Sequence, residues 1–595
     1  VPYRCRGGYP WCAKPIVTSG NGDTFSAPVL SRRSGKPGRD LETNNSGIRV
    51  LDRVKCLHHT PPSGRSAERE PPEDFGTVKV RAVPAVPKPN PYTTVVGLGI
   101  GTTFTFLLAF SLYFGTLAPG VMWGDSAKLT LLAYEGVLRP GLSYHSLHAV
   151  LAGFFAELLS GDYALRVNLF SAMLGAAGIS FVFAAAREAG FGVLASCLSA
   201  MALALSHTYW SVSVVAESYP VANAAGAAAV WLTFRWLRLR CDWLVYIAAV
   251  LPAAAFAAHP TAVLLLPGIF AVVAIEGGGV GRWRRLAAMV GWTMIGMLTY
   301  AGIVAGSVAQ VGWESTVENW RATRIMESMW FGWSGSQMYL KILALLAGLF
   351  VYQFPFFGLP LGLWGVRLSW QRHSPLFFLS AVTVVVGLGF ASLYGEKRQY
   401  LMSQQVYLCF ALWVACGLDE VIRRRQPGTI GMRAAWTALA VLGLVLIPAT
   451  YAGTVAALRS AGISVIPSRQ LVHRDNERYF LFPPKALETG PREFAVRSLE
   501  QIGSNGIIIA DFTPLMVLRY YQVVCGLRQD VTLWFVDAPL TILDLEQTRK
   551  ALETGRDVLM LDAYGTGYTD GELKRKFHLE PSPPLMRMKL RRDGL

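Results

Sequence analysis

A series of apolar runs, each near the roughly 20 residues that an α-helix needs to cross a hydrocarbon core, constrains this chain more than any other feature. The runs fall at Thr93–Leu117, Tyr163–Ala186, Phe191–Tyr209, Val215–Leu237, Trp243–Ala258, Thr261–Ile275, Leu286–Val308, Ile342–Val366, Leu376–Leu393, Tyr400–Leu418 and Trp436–Ala456. That makes about eleven membrane helices. Composition agrees: 52% of residues are hydrophobic and only 16% are charged, whereas a soluble domain carries about a quarter charged residues. The weakest division lies at His259–Pro260, where a bent or re-entrant pair is the expectation.

The formal net charge of +16 does not point to nucleic acid, because the basic residues fall in short clusters between the apolar runs. These clusters are Arg187, then Arg235, Arg238 and Arg240, then Arg282, Arg284 and Arg285, then Arg367 and Arg372, then Arg423, Arg424 and Arg425. They occupy every second loop, which places those loops and the N-terminus in the cytoplasm and, with an odd number of spans, the C-terminus outside. Ala118–Asp162, His207–Val214 and Gly312–Gln337 then also face outward.

Three regions follow: residues 1–92, residues 93–459 and residues 460–595. The first is rich in Pro, Gly, Ser and Arg and lacks apolar periodicity, so it reads as disordered. It contains no Met and no signal-peptide core, so part of it reads as an over-extended reading frame, with targeting left to the first membrane helix. The second is the membrane domain, with its outer loop at 118–162. The third alternates helix-like and strand-like stretches: Pro491–Ile502, Gly506–Ala510, Thr513–Val524, Val531–Val536, a further helix and Val558–Leu561. That alternation specifies a small extramembrane α/β domain.

The candidate chemistry lies in the outer segments. Asp125, in Trp123-Gly124-Asp125-Ser126-Ala127-Lys128, sits where a span ends and an amphipathic stretch begins. It reads either as a general base on an acceptor hydroxyl at headgroup depth or as a helix N-cap. Ser126–Tyr134 and His145–Leu159 have apolar faces suited to helices lying along the membrane surface. Glu217, in Val214-Val215-Ala216-Glu217-Ser218-Tyr219-Pro220, places a costly carboxylate at the outer end of an apolar helix. The preceding Ser206-His207-Thr208-Tyr209-Trp210 forms either an interfacial belt or a surface on which a sugar stacks. Arg166 and the Lys397-Arg398 pair are candidates for a lipid phosphate, with snorkelling at the headgroups as the other reading. Glu396 stands ready to neutralise the latter pair.

The chain has no GxxxxGK[ST] loop and no DxD pair, and Gly97, Gly99 and Gly101 lie within a span, where small residues serve packing. Soluble nucleotides are therefore not the expected ligands. The eight Cys form no CxxC, so neither a zinc site nor a disulfide framework is indicated; a divalent metal is left open but not implied, and no other cofactor is expected.

Together, Gly124-Asp125-Ser126, Arg166-Val167-Asn168-Leu169-Phe170-Ser171-Ala172 and the run from Ser206 through Glu217 resemble the protein-O-mannosyltransferase-like membrane proteins of the GT-C superfamily, many of them bacterial. The resemblance covers about Thr93 to Leu418 and extends to Ile507–Asp511, Tyr520-Tyr521-Gln522 and Gly526–Val531 in the tail. It implies an all-α GT-C-like membrane domain in the bacterial inner membrane. The activity it implies is transfer of mannose or another hexose from a polyprenyl-phosphate donor to a hydroxyl of a protein or glycan on the outer face. On that basis Asp125 is the catalytic carboxylate and Glu217 a second acid, while Lys128, Arg166, His207, Trp210, Tyr219 and Arg398 bind substrate. Two departures stand out: Lys128 occupies a position that is commonly acidic in the family, and an HPPGYP-like stretch is reduced to Arg139-Pro140-Gly141-Leu142-Ser143-Tyr144-His145. A transporter or lipid flippase, which predicts an internal repeat not found here, and a non-catalytic anchor presenting the tail are the competing readings.

Overall fold

The computed structural model describes residues 91–279, 281–322, 346, 348, 350–393, 399–424, 430–466, 470–536, 542–561 and 571–591. The segment expected to be disordered lies outside them up to residue 90.

Where they are described, and apart from breaks at residues 205–206, 214–218, 256–259 and 354–357, the apolar runs form mostly helices. In chain order these are α1 (Pro91–Gly115), α2 (Asp125–Glu135), α3 (Ser146–Glu157), α4 (Tyr163–Glu188), α5 (Val193–Ala204), α6 (His207–Ser213), α7 (Tyr219–Leu239), α8 (Trp243–Ala255), α9 (Leu266–Glu276), α10 (Gly281–Val311), α11 (Trp313–Ala322), α12 (Gly358–Arg372), α13 (Ser374–Leu393), α14 (Gln404–Asp419) and α15 (Ile430–Ser460). Among the described residues six helices are long and apolar enough to cross a membrane, or seven if α5 and α6, bent by 69° at their junction, form one span. The chain is a multi-pass membrane protein. The run Ile342–Val366 lies partly outside the described residues. The break at His259 is a short 3-10 turn, Pro260–Leu265, between the two short apolar helices α8 and α9.

Side-chain size sets how closely these helices approach. A Cβ on Gly365 of α12 would run into the Trp413 carbonyl of α14, and one on Gly417 of α14 into the Leu361 carbonyl of α12. Two glycines thus let the backbones pack directly, as small residues do between membrane helices.

The basic clusters gather at one end of the bundle. Glu188, at the end of α4, pairs with Arg235 (3.1 Å) and Arg238 (2.8 Å) of α7. Asp419 of α14 holds Arg423 (2.6 Å) and the Gly192 amide (2.7 Å). Arg285–Asp242, Arg240–Glu276 and Arg372–Glu420 complete the set. Pairing of this kind keeps charged groups tolerable where helices leave an apolar solvent.

The C-terminal part forms α16 (Asn476–Leu481), α17 (Gly490–Gln501), β1 (Ile507–Ala510), α18 (Phe512–Val523), β2 (Thr532–Phe535), α19 (Ile542–Glu553), β3 (Val558–Met560), α20 (Gly571–Lys576), β4 (Phe577–Ser582) and β5 (Leu585–Leu590). The strand order is β2-β1-β3-β5-β4, with β1 parallel to β2 and β3 and the last two strands antiparallel. Ile507–Ala510 is buried throughout, the unbroken apolar run of a central parallel strand. The β4–β5 hairpin was not expected from the sequence. Its residues are charged and proline-containing, a pattern that an edge strand such as β4 accommodates.

The helix α2 is covered on more than one face. Ser126 through Ala133 are all buried, and Ala127, Leu129, Leu131 and Leu132 join one apolar core with Phe494, Ile507–Ile509 and Leu515–Leu518 of the α/β domain. Burial of Ser126 through Ala133 on successive faces requires cover on more than one side, and α18 supplies part of it. Arg519–Glu135 (3.1 Å) and the bond from the Ala164 amide to Tyr520 Oη (3.2 Å) tie the same seam. By comparison α3 keeps an open apolar edge, with Phe154 69% exposed.

Candidate functional site

At the start of α2 the cap is Gly124, not Asp125. Gly124 has φ 65° and ψ −120°, a backbone conformation open essentially to glycine alone, and its amide donates to the Thr513 carbonyl (3.4 Å). Asp125 therefore occupies the first helical position, its carboxylate at the positive end of the helix, with its side chain 44% exposed. One turn on, the nearly buried Lys128 places Nζ 3.5 Å from Asp125 Oδ1. The same ammonium lies 5.7 Å from the ring centres of both Tyr144 and Phe512, at cation–π distance. An accessible carboxylate thus stands beside a shielded cation, in a recess whose walls come from the outer loop and from the C-terminal domain.

Three histidines that local sequence patterns did not single out extend this recess. His145 takes a left-handed backbone (φ 53°), and its Nδ1 lies 2.8 Å from the Ala258 carbonyl. Its ring stacks on His259, with centroids 5.0 Å apart and planes 7° apart, and His259 in turn lies 4.0 Å from the Tyr219 ring. Nδ1 of His259 accepts from the Thr261 amide (3.2 Å). His148, one turn along α3, is fully buried and has no partner for either ring nitrogen among the described residues. The sequence signals were the His259–Pro260 break and the shortened proline-rich stretch ending at His145.

Burial, reinforced by Lys128, pushes the His145 imidazole down to about 4, against the upward pull of the Ala258 carbonyl and Asp125. Burial, with His145 beside it, pushes His148 down to about 3. The unfolded chain takes up these protons near pH 6.5, so between pH 6.5 and 4 it binds more protons than the folded chain and stability declines as pH falls. The melting temperature is expected to drop across that interval, and His148→Leu should flatten the drop. An unchanged slope in His148→Leu would remove His148 from the cause.

The structure distributes the other candidates unevenly. Glu217 lies in the connector between α6 and α7, not inside a helix, and is partly buried. Its amide donates to Ser171 Oγ (3.3 Å) of α4. Asn168 fixes the nearby chain by donating to the Ala118 and Gly120 carbonyls (3.1 and 2.9 Å), and the Ala118 amide donates to Val214 (2.9 Å). Tyr219, two residues after Glu217, reaches the histidine stack and donates to Met402 Sδ (3.7 Å). Arg166 spends N–H bonds on the Ala156 and Leu159 carbonyls (2.5 and 2.7 Å), clamping the C-terminal end of α3. Trp210 is 2% exposed and donates to Thr116 Oγ1 (2.9 Å). His207 donates from Nε2 to the Phe480 carbonyl (2.8 Å). These last two side chains lock α6 to α1 and to the segment leading into the α/β domain. Lys397 and Arg398 lie outside the described residues.

Among the described residues no group of three or more His, Cys, Asp or Glu side chains is placed to hold a metal ion. A cavity of about 350 Å³ between α12, α14 and α15 is lined by apolar residues such as Phe357, Leu418 and Trp436, and none of the candidate residues reaches it.

No curated protein matches the chain. Among solved structures it is similar to ArnT from Cupriavidus metallidurans bound to undecaprenyl phosphate, with 14% identity over 84% of this chain and 98% of that one and a TM-score of 0.49. It is also similar to the arabinofuranosyltransferase AftD from Mycobacteria (14% identity, 78% and 35% of the two chains, TM-score 0.42). A third is the oligosaccharyltransferase AglB from Archaeoglobus fulgidus with an inhibitory peptide and a dolichol-phosphate (14% identity, 79% and 69%, TM-score 0.38). The family model described as Protein O-mannosyl-transferase TMEM260 N-terminal domain matches residues 139–278. This stretch starts after Asp125 and Lys128 and takes in Arg166, His207, Trp210, Glu217, Tyr219 and all three histidines. Over those residues, about a quarter of the chain, the sequence is similar to the protein O-mannosyl-transferase TMEM260 N-terminal domain family.

Proposed function

We propose that the protein is a membrane glycosyltransferase that moves mannose or another hexose from a polyprenyl-phosphate donor to an acceptor hydroxyl, such as Ser or Thr of a protein, on the extracytoplasmic face of a bacterial inner membrane. The observation that carries this reading is the accessible Asp125 carboxylate beside the shielded Lys128 ammonium, at the seam of membrane domain and α/β domain. The family match over residues 139–278 supports the chemistry by the activity in its name. Asp125 engages the acceptor hydroxyl, and Lys128 neutralises charge on the departing phosphate. Tyr219 supports the histidine stack, and Glu217 is a second acid of the recess. Arg166, His207 and Trp210 hold its walls, and Arg398 is a further phosphate partner. The basic end of the bundle faces the cytoplasm, so the recess opens outward. A glycan hydroxyl would be bound by the same groups as a protein hydroxyl.

The test is transfer by the purified full chain, supplied with polyprenyl-phosphate hexose and a panel of protein and glycan acceptors. Labelled sugar in the acceptor is the expected result. If no donor supports transfer and substrate flux appears in vesicles instead, the chain is a transporter and the proposal fails.

A further inference from the structure

We infer that Nε2 of His145 receives the proton of the acceptor hydroxyl during transfer, an inference that rests on the glycosyltransferase reading above. A carbonyl can only accept, so the 2.8 Å contact with Ala258 places the ring proton on Nδ1 and leaves the lone pair on Nε2. A backbone carbonyl that fixes the tautomer in this way is a recurrent arrangement for a histidine base. The ring itself is held. His259 stacks against it at 5.0 Å, and the His145 backbone sits at φ 53°, a left-handed conformation that a non-glycine residue adopts at some cost and that clusters at functional sites.

The surrounding groups suit the task. From α2, Asp125 and Lys128 act on the imidazole with opposite signs. His148 faces it from α3, and His259 from the break before α9 with Tyr219 behind it. Tyr144 precedes it in the chain, under the Arg139 guanidinium. Burial and Lys128 hold the free imidazole in its neutral form at neutral pH, while the Asp125 carboxylate pulls the other way and favours the imidazolium as it forms. In the step itself the hydroxyl oxygen forms a bond to the anomeric carbon. The bond from that carbon to the phosphate oxygen breaks, with its electron pair leaving on the polyprenyl phosphate. The hydroxyl proton passes to Nε2, and the imidazolium is offset by Asp125 until it returns the proton to water. Asp125 orients the hydroxyl while His145 takes the proton.

Two variants test this without disturbing the backbone. His145→Asn tolerates the left-handed conformation and can still donate to the Ala258 carbonyl, but offers no basic nitrogen. Its kcat is expected to fall by about 10²- to 10⁴-fold, with KM for the donor little changed. His145→Gly is suited to positive φ and leaves room for added imidazole, which should restore a part of the rate that rises with the fraction of free imidazole base. If wild type transfers sugar and His145→Asn keeps its kcat, the inference is overturned and the glycosyltransferase reading stands. If both variants lose activity and imidazole restores none, His145 is structural and the inference is likewise overturned. If wild type transfers from no donor, the underlying reading falls and takes this inference with it.

Discussion

Asp125→Asn is expected to lower the rate of sugar transfer by about 10²- to 10³-fold, the range for removing a group that stabilises charge developing in the transition state. The substitution is nearly isosteric and keeps the first turn of α2, because the cap belongs to Gly124. What disappears is the negative charge. An amide cannot orient the acceptor hydroxyl through a charge-assisted hydrogen bond, and it cannot offset an imidazolium at His145. Lys128 also loses its carboxylate at 3.5 Å but keeps the Tyr144 and Phe512 rings. With Asp125 44% exposed, solvent already screens the pair, so the melting temperature should move little while the rate falls. Single-turnover transfer from polyprenyl-phosphate hexose, measured beside Glu217→Gln, separates the two carboxylates. Rates equal to wild type in both variants would remove both from the mechanism.

Much of the architecture was legible because it follows from length and period. Runs such as Tyr163–Ala186 and Leu376–Leu393 are long enough to cross a bilayer and form α4 and α13 almost to the residue. The stretches Pro491–Ile502, Gly506–Ala510 and Thr513–Val524 became α17, β1 and α18 for the same reason, with helical and strand periods that differ locally. Lys128 stood out in the sequence only as a departure from the family pattern, and its pairing with Asp125 follows because three positions along a helix is one turn.

What stayed hidden depends on convergence. Nothing near Ser126–Tyr134 reveals that α18, some 380 residues away, covers its second face. Nothing near Tyr144-His145 announces His259 as a stacking partner across more than a hundred residues. Ser206–Trp210 shows a complementary difficulty. A histidine and a tryptophan with apolar bodies and polar tips look the same at a membrane surface and inside a packed core. The partners Phe480 and Thr116 distinguish the two, and neither is local. In β4 and β5, alternation was masked by charged and proline residues that an edge hairpin tolerates.

Phe494→Ala is expected to destabilise the α/β domain by about 3–5 kcal/mol, the range for a fully buried phenylalanine cut to alanine. Phe494 is 1% exposed and sits in the core shared by α17, β1 and α2. Its ring centre lies 5.4 Å from that of Trp123, tilted by 55°, a geometry worth about 0.5–1.5 kcal/mol beyond burial alone. The cost should therefore split in a double-mutant cycle with Trp123→Ala, leaving a coupling of that size between the outer loop and the domain. Function should follow stability here. Trp123 immediately precedes Gly124, whose amide holds Thr513, and Thr513 adjoins the Phe512 ring over Lys128. Loosening the seam should therefore displace the Asp125–Lys128 pair and lower transfer even below the unfolding transition. Thermal unfolding in detergent and protease cleavage of the 470–536 segment read the first effect, and transfer assays at low temperature read the second. If Phe494→Ala unfolds the domain but leaves low-temperature transfer intact, the α/β domain is not a wall of the recess, and Lys128 must be positioned by the outer loop alone.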